Sequence, residues 1–284
     1  MVARQDVKSL DARLVGRLRE RIHVGCDMSE SVLELRQMGY TDAAILAGLE
    51  AARPRDSALA GGAMNSLPLI RSAPPNLRRI GNPGFALYTL EDFLSAQECA
   101  DLEAVMAPRL KPSIVSHAYD DAAFRTSSTA ELWNVREPIV LAIDERICRT
   151  LGIRAEYSEG IQAQRYEVGQ QFKPHRDCFE PGTNTFQRLA GLRGNRTWTF
   201  MVYLNDDLEG GATRFTDIGH SVQPKRGMAL LWNNLLEDGS PNKATTHCGE
   251  PVTQGHKSII TKWFRVFGDG PVFYEPAVHG TRRP

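Results

Sequence analysis

Two short stretches of this 284-residue sequence hold side chains whose types and spacing could do metal chemistry. In "QQFKPHRDCF", residues 170–179, His175 and Asp177 stand two apart. If the stretch begins or ends a strand, alternation puts both side chains on one face. One imidazole and one carboxylate together make half of a two-histidine, one-carboxylate triad. That donor set leaves three metal positions open, as a non-heme Fe(II) oxygenase requires. The pair alone does not distinguish a half-site from two polar neighbours. The best third donor is His247, in "KATTHCGEPV", a short strand-like run after a turn. His23, His117, His220, His256 and His279 read as surface or packing histidines.

Such a triad needs an electron source, in this chemistry usually a 2-oxo acid that chelates the metal through its keto-acid end. The far carboxylate of that acid then needs a buried cation. Lys257 stands ten residues after His247 and opens the last strong strand, "KSIITKWFRVF". Alternation puts Lys257, Ile259, Thr261 and Trp263 on one face and Ser258, Ile260, Lys262 and Phe264 on the other. A buried lone ammonium is costly unless paired, and an incoming carboxylate would pair with it. Taken alone, Lys257 could equally be an edge lysine reaching for water. Beside His175, Asp177 and His247, the functional reading is preferred.

Several elements must position these groups. From about residue 160 the chain breaks into short β-branched and aromatic runs, "IQAQRYEV", "RTWTFMVYL", "ATRF", "GMALLWN" and "KSIITKWFRVF". Gly, Asn and Asp turns separate them, which predicts an antiparallel barrel or double-sheet jelly roll. Two helices precede it, "AQECADLEAVMAPRL" capped by Ser95 and "EPIVLAIDERICRTLG" ending at Gly152, and would pack outside. Residues 1–52 read as a helical hairpin or three-helix appendage broken at Gly39-Tyr40. There Val32, Leu35 and Met38 share one face, and Ile45, Leu46 and Leu49 share another after a Thr41-Asp42 cap. It reads as a packing or dimerisation extension, which leaves a homodimer open. Residues 53–80 have linker composition, 81–270 form the main domain and 271–284 a tail.

Composition narrows the class. Lys plus Arg and Asp plus Glu both number 34, so nothing global favours nucleic acid or an anionic membrane. No apolar run approaches a membrane span, and the first residues lack the apolar core of a secretory signal. The five cysteines are odd in number, widely spaced and without a CxxC. A reducing cytoplasm therefore fits better than a disulfide framework.

These pieces together resemble the catalytic domain of the prolyl 4-hydroxylases, among the Fe(II)- and 2-oxoglutarate-dependent dioxygenases. The resemblance runs from about residue 84 to 268 and rests on "RTSS", "EGIQAQRYEVGQQFKPHRD", "RTWTFMVYLNDDLEGGATRF", "QPKRGMALLWNN" and "THCGEPVTQGHKSIITKW". It implies an α+β fold, a double-stranded β-helix (jelly roll) with flanking helices. It implies that His175, Asp177 and His247 hold iron, and that Lys257 and Tyr166 bind the distal carboxylate of 2-oxoglutarate, with Thr199 lining that pocket. Arg125, Ser127, Glu159, Arg196 and Trp263 match positions that approach substrate. The implied cofactors are Fe(II), 2-oxoglutarate and O2, with ascorbate as an optional reductant. Hydroxylation of a C–H bond would then accompany decarboxylation of 2-oxoglutarate to succinate and CO2.

Two residues depart from the family pattern. Phe172 stands where a tyrosine often precedes the first ligand, and Arg265 where a histidine can follow the tryptophan. Both would lie near substrate and set it apart from the standard one. Residues 178–195, between a ligand and a core strand, are long, polar and Gly-rich, either a substrate lid or a disordered surface loop. The expected substrate is a prolyl residue in a peptide or protein, with a free amino acid or other small metabolite as the alternative. A non-catalytic jelly-roll binding module is the reading from another class. Hydrolytic zinc chemistry would leave Lys257 and Tyr166 without a task. Cys178 and Cys248 flank ligands, but alternation turns both away from the metal.

Overall fold

The computed structural model describes residues 9–23, 28–52, 56–57, 74–80, 85–113 and 123–274. His117, His279, Cys26 and the side chain of His23 lie outside them. An eight-stranded antiparallel sheet runs in the order β2 (Leu77–Ile80), β3 (Leu87–Leu90), β12 (Ala229–Asn233), β8 (Arg196–Tyr203), β15 (Lys257–Arg265), β6 (Gln162–Tyr166), β5 (Ser128–Glu131) and β4 (Lys111–Pro112). A four-stranded antiparallel sheet runs β11 (His220–Val222), β10 (Thr213–Phe215), β13 (His247–Gly249) and β7 (Phe172–His175). Two short pairs join β9 (Glu209–Gly210) to β14 (Val252–Gln254) and β1 (Asp56–Ser57) to β16 (Phe267–Gly268).

The period-2 pattern of the central strands divides the core into two layers. On β8, Trp198, Phe200 and Val202 point to one side, with Leu231 of β12 and Ile260 and Phe264 of β15. There they meet the apolar stripe of α5 (Pro138–Leu151), Val140, Ile143, Ile147 and Leu151, and Cys99, Leu102 and Met106 of α4 (Ala96–Met106). Met201 and Tyr203 of β8, with Leu230 and Trp232 of β12, point the other way and pack on Phe215 and Val222 of the smaller sheet. The order is helices, large sheet, small sheet. Both helix ends match expectation. Ser95 and Glu98 form a capping box, and Gly152 takes φ 73°, a left-handed cap that glycine adopts without strain.

Upstream segments contribute more to the sheet than their composition predicts. Residues 56–57 and 77–80, within the stretch of linker composition, pair with β16 and β3, and "FALYTLEDFL" supplies β3. The rest of 53–73 lies outside the described residues, as does 275–284 of the tail, whereas Val272 is buried.

Three helices, α1 (Ala12–His23), α2 (Ser29–Gln37) and α3 (Asp42–Ala52), enclose a separate cluster of Leu18, Ile22, Met28, Leu35, Tyr40, Ala44, Ile45 and Ala52. Thr41 caps α3 by accepting from the Ala44 N–H at 3.3 Å, and Gly39 makes the preceding turn at φ 83°. Of the two expected apolar faces, Leu35 and Ile45 are buried, while Met38 and Leu46 face solvent. Leu192 of the main domain packs against this cluster. No helix among the described residues is long and apolar enough to cross a membrane.

Candidate metal centre

Strands β7 and β13 are neighbours, and His175 and His247 face each other as paired residues. Asp177 follows two positions after β7 ends, its side chain on the same side. Donor atoms of the three side chains lie within 4.8 Å of one another, with Asp177 Oδ1 at 3.8 Å from His175 Nε2 and 4.0 Å from His247 Nε2. Each imidazole donates its Nδ1–H to a main-chain carbonyl two residues back, His175 to Lys173 at 2.8 Å and His247 to Thr245 at 2.9 Å. A carbonyl only accepts, so both Nε2 atoms present lone pairs inward, the tautomer that a metal ligand needs. Burial, and then the neighbouring His247, push the His175 pKa down to about 3, so its ring is neutral. Burial tends to raise the Asp177 pKa, but His247, His175, Arg196 and the Thr199 hydroxyl outweigh it, and the group stays an anion. Two imidazole nitrogens and one carboxylate oxygen are the donor set for a divalent transition metal with open positions. Among the described residues, neither Cys178 nor Cys248 belongs to the cluster.

The other carboxylate oxygen of Asp177 is held by side chains. Thr199, expected to line the cosubstrate pocket, donates to Asp177 Oδ2 at 2.6 Å. Asn234 Nδ2 donates to Thr199 Oγ1 at 2.8 Å, and Trp232 Nε1 donates to Asn234 Oδ1 at 2.9 Å. Nothing in the local sequence marks Trp232 and Asn234 for a role. The signal that finds them is the β8–β12 register, which sets Trp232 directly across from Thr199.

Lys257 is 2% exposed, and among the described residues no carboxylate pairs with its ammonium. It donates to Thr213 Oγ1 at 3.4 Å and lies 5.4 Å from the ring centre of Tyr166, its cross-strand partner. Burial pushes its pKa down to about 8. Tyr166 is also buried and donates to Gln164 Oε1 at 2.7 Å. A buried cation without an anion, on the sheet face that carries Thr199, fits the distal carboxylate of a dicarboxylic keto acid.

The expected substrate residues form two groups. Phe172 stacks on His175 with ring centres 3.5 Å apart, and the Arg125 guanidinium lies 4.9 Å above Phe172. Arg125 donates to Ser127, Thr129 and Gln162, so "RTSS" folds into one polar cluster. In the second group Glu159 accepts a bidentate pair from Arg196, both bonds 2.7 Å, and another 2.7 Å bond from Arg265. Burial would raise the Glu159 pKa, but these two cations hold it near 2. Arg196 lies 3.9 Å from the ring centre of Trp263, whose indole N–H has no hydrogen-bond partner among the described residues. Arg265 also donates to the Leu189 carbonyl, so this departure from the family pattern joins Glu159 to the 178–195 segment. That segment carries a helix, α6 (Asn184–Ala190), capped by Thr183, rather than a disordered loop. Asn195 closes its base by bonding both the N–H and the carbonyl of Phe179, at 2.7 and 2.8 Å.

Residues 161–265, which contain the three donors and Lys257, match the 2OG-Fe(II) oxygenase superfamily. Prolyl 4-hydroxylase 1 of Arabidopsis thaliana is 37% identical over 198 residues, covering 63% of this chain and 68% of that protein. The chain belongs to the prolyl 4-hydroxylase family of 2OG-Fe(II) oxygenases. Prolyl 4-hydroxylase subunit alpha-1 of Mus musculus is 33% identical over 186 residues, 64% of this chain. The chain spans 35% of the length of that subunit, so it matches one part of a larger family member. The viral collagen prolyl hydroxylase of Paramecium Bursaria Chlorella virus-1, solved with 2OG, aligns with TM-score 0.50 and 23% identity over 63% of this chain and 94% of that one, which shows a shared fold. For a prolyl 4-hydroxylase family member, Fe(II), 2-oxoglutarate and O2 are the implied cofactors, and the donors and the buried ammonium fit the first two.

Proposed function

We propose that this protein hydroxylates an unactivated C–H bond of a prolyl residue in a peptide or protein, using Fe(II), 2-oxoglutarate and O2, with succinate and CO2 as coproducts. We read the paired sheets as a jelly roll whose mouth holds the metal. The observation that carries the proposal is the buried ammonium of Lys257, which has no carboxylate partner among the described residues and lies on the sheet face that carries Thr199. A hydrolytic zinc site has no use for it.

His175, Asp177 and His247 would hold the iron, and Lys257 with Tyr166 would hold the far carboxylate of 2-oxoglutarate. Bound together, iron and keto acid supply the oxygen activation and oxidative decarboxylation. The chain supplies the rest. The Lys173 and Thr245 carbonyls keep both imidazoles in the ligating tautomer. Thr199 fixes one carboxylate oxygen so that the other faces the metal position. Phe172 covers one face of His175 and keeps water off it. Glu159, Arg196 and Trp263 would form one substrate wall, and Arg125 with Ser127 another.

Mass spectrometry of a proline-rich peptide after incubation with Fe(II), 2-oxoglutarate and O2 tests this. The expected result is an added oxygen on proline with stoichiometric succinate, lost in His175→Ala. A free amino acid or small metabolite is the second reading, favoured by one observation. The Arg125 guanidinium lies one ring away from a metal donor and could take an α-carboxylate. Oxygen addition to free amino acids but not to peptides would establish it. We also place the protein in a reducing cytoplasm, since Cys99, Cys148, Cys178 and Cys248 are all free and buried.

A further inference from the structure

The chain Trp232–Asn234–Thr199–Asp177 has a direction that its chemistry imposes. An indole N–H can only donate. Trp232 Nε1 therefore gives its proton to Asn234 Oδ1, at 2.9 Å, which turns the amide so that Nδ2 faces Thr199 Oγ1, at 2.8 Å. With one lone pair of Oγ1 taken, the Thr199 hydroxyl proton points to Asp177 Oδ2, at 2.6 Å. The Asn234 main chain is fixed as well, its N–H on Thr197 O at 2.6 Å and its carbonyl accepting from Asn242 N–H at 2.9 Å. All four side chains are buried, so no water competes for these protons.

We infer that Trp232 and Asn234 are positioning residues for Asp177, a one-way hydrogen-bond relay that reserves Oδ2 for Thr199 and leaves Oδ1 to the metal. The inference rests on the metal-site reading above. With a divalent ion present, Asp177 would offer it Oδ1, since Oδ2 is engaged by Thr199. Without the indole proton the Asn234 amide can turn over, present Oδ1 to Thr199 and draw the hydroxyl proton away from Asp177. The Trp232 ring also lies edge-on to His247, with ring centres 4.9 Å apart, so loss of packing must be separated from loss of the proton.

Mn(II) affinity of the full chain, read from the free-ion electron paramagnetic resonance signal without cosubstrate, makes the separation. Trp232→Phe, which keeps a ring against His247, weakens Mn(II) binding about tenfold. Asn234→Asp accepts from both Trp232 and Thr199, which reverses the 234–199 bond and takes the hydroxyl proton from Asp177, weakening binding by at least as much. Thr199→Val removes the last proton, and Trp232→Phe added to Thr199→Val causes no further loss, since no hydroxyl remains to be turned. Wild-type affinity in both Trp232→Phe and Asn234→Asp overturns the relay, and so do losses that add fully in the double variant. Should Trp232→Phe not fold, Asn234→Asp and Thr199→Val carry the same test. A wild-type chain that binds no Mn(II) overturns the metal site itself, a different result from a wild-type chain that binds while the variants match it.

Discussion

Lys257 sits in an environment that opposes its charged state. Its ammonium is buried among Thr213 and aromatic rings, with a pKa of about 8 against 10.5 for a free lysine. Below pH 8 the side chain is charged in both folded and unfolded chains, and folding bears the whole cost of burying it. Between pH 8 and 10.5 the folded chain has lost the proton and the unfolded chain keeps it, so the cost fades. Lys257→Met therefore stabilises the protein without 2-oxoglutarate, by roughly 1–4 kcal/mol at neutral pH, a gain that shrinks above pH 8. Denaturation across pH measures it, and a Lys257→Met protein less stable than wild type at pH 7 contradicts it. The same site predicts that 2-oxoglutarate binding is level below pH 8 and then weakens by up to about tenfold per pH unit, because the ligand must bring back the proton. Calorimetric titration of the metal-loaded protein shows it. Lys257 was legible in the sequence because its distance from His247 and its strand alternation are local. The Thr199 contact was not, because it depends on where β8 meets β12 and on a carboxylate 22 residues away.

At the scale of elements, the 178–195 segment differs most from its composition. Its polar, Gly-rich sequence gives little sign of order, yet both ends are buried and tied. Asn195 bridges Phe179, Arg193 donates to the Ser158 and Glu156 carbonyls at 3.0 and 2.7 Å, and Arg265 reaches Leu189. Each bond joins residues far apart in sequence, so no window of the chain reveals it. The exposed part of the segment lies within 180–189. Asn195→Ala removes the side chain that bonds the buried N–H and carbonyl of Phe179 and costs about 1–3 kcal/mol. Limited proteolysis should then cut within 180–189 faster than in wild type. The strand β3 was missed for another reason. β3 is buried on both sides, between α4 and the inter-sheet core, so its apolar run shows no alternation.

At the scale of the molecule, the three-helix unit has its own core and meets the main domain at Leu192, two residues past the end of α6. Its helices were readable from their 3.6-residue periodicity, but which exposed apolar residues would stay exposed was not, since that depends on how the helices cross. Leu192→Asp should loosen this contact, raising trypsin cleavage between the two units while leaving Mn(II) affinity unchanged; a fall in that affinity would mean that the helices bear on the metal site. The donors themselves differ in how open they are to genetic change. Both histidines are oriented by main-chain carbonyls, which no substitution can delete. Asp177 is oriented by three side chains, each encoded and each replaceable. Drift in metal affinity, whether by chance or by design, therefore has a route through the hydrogen bonds of the aspartate that the histidines lack, since the backbone holds the tautomer of both rings.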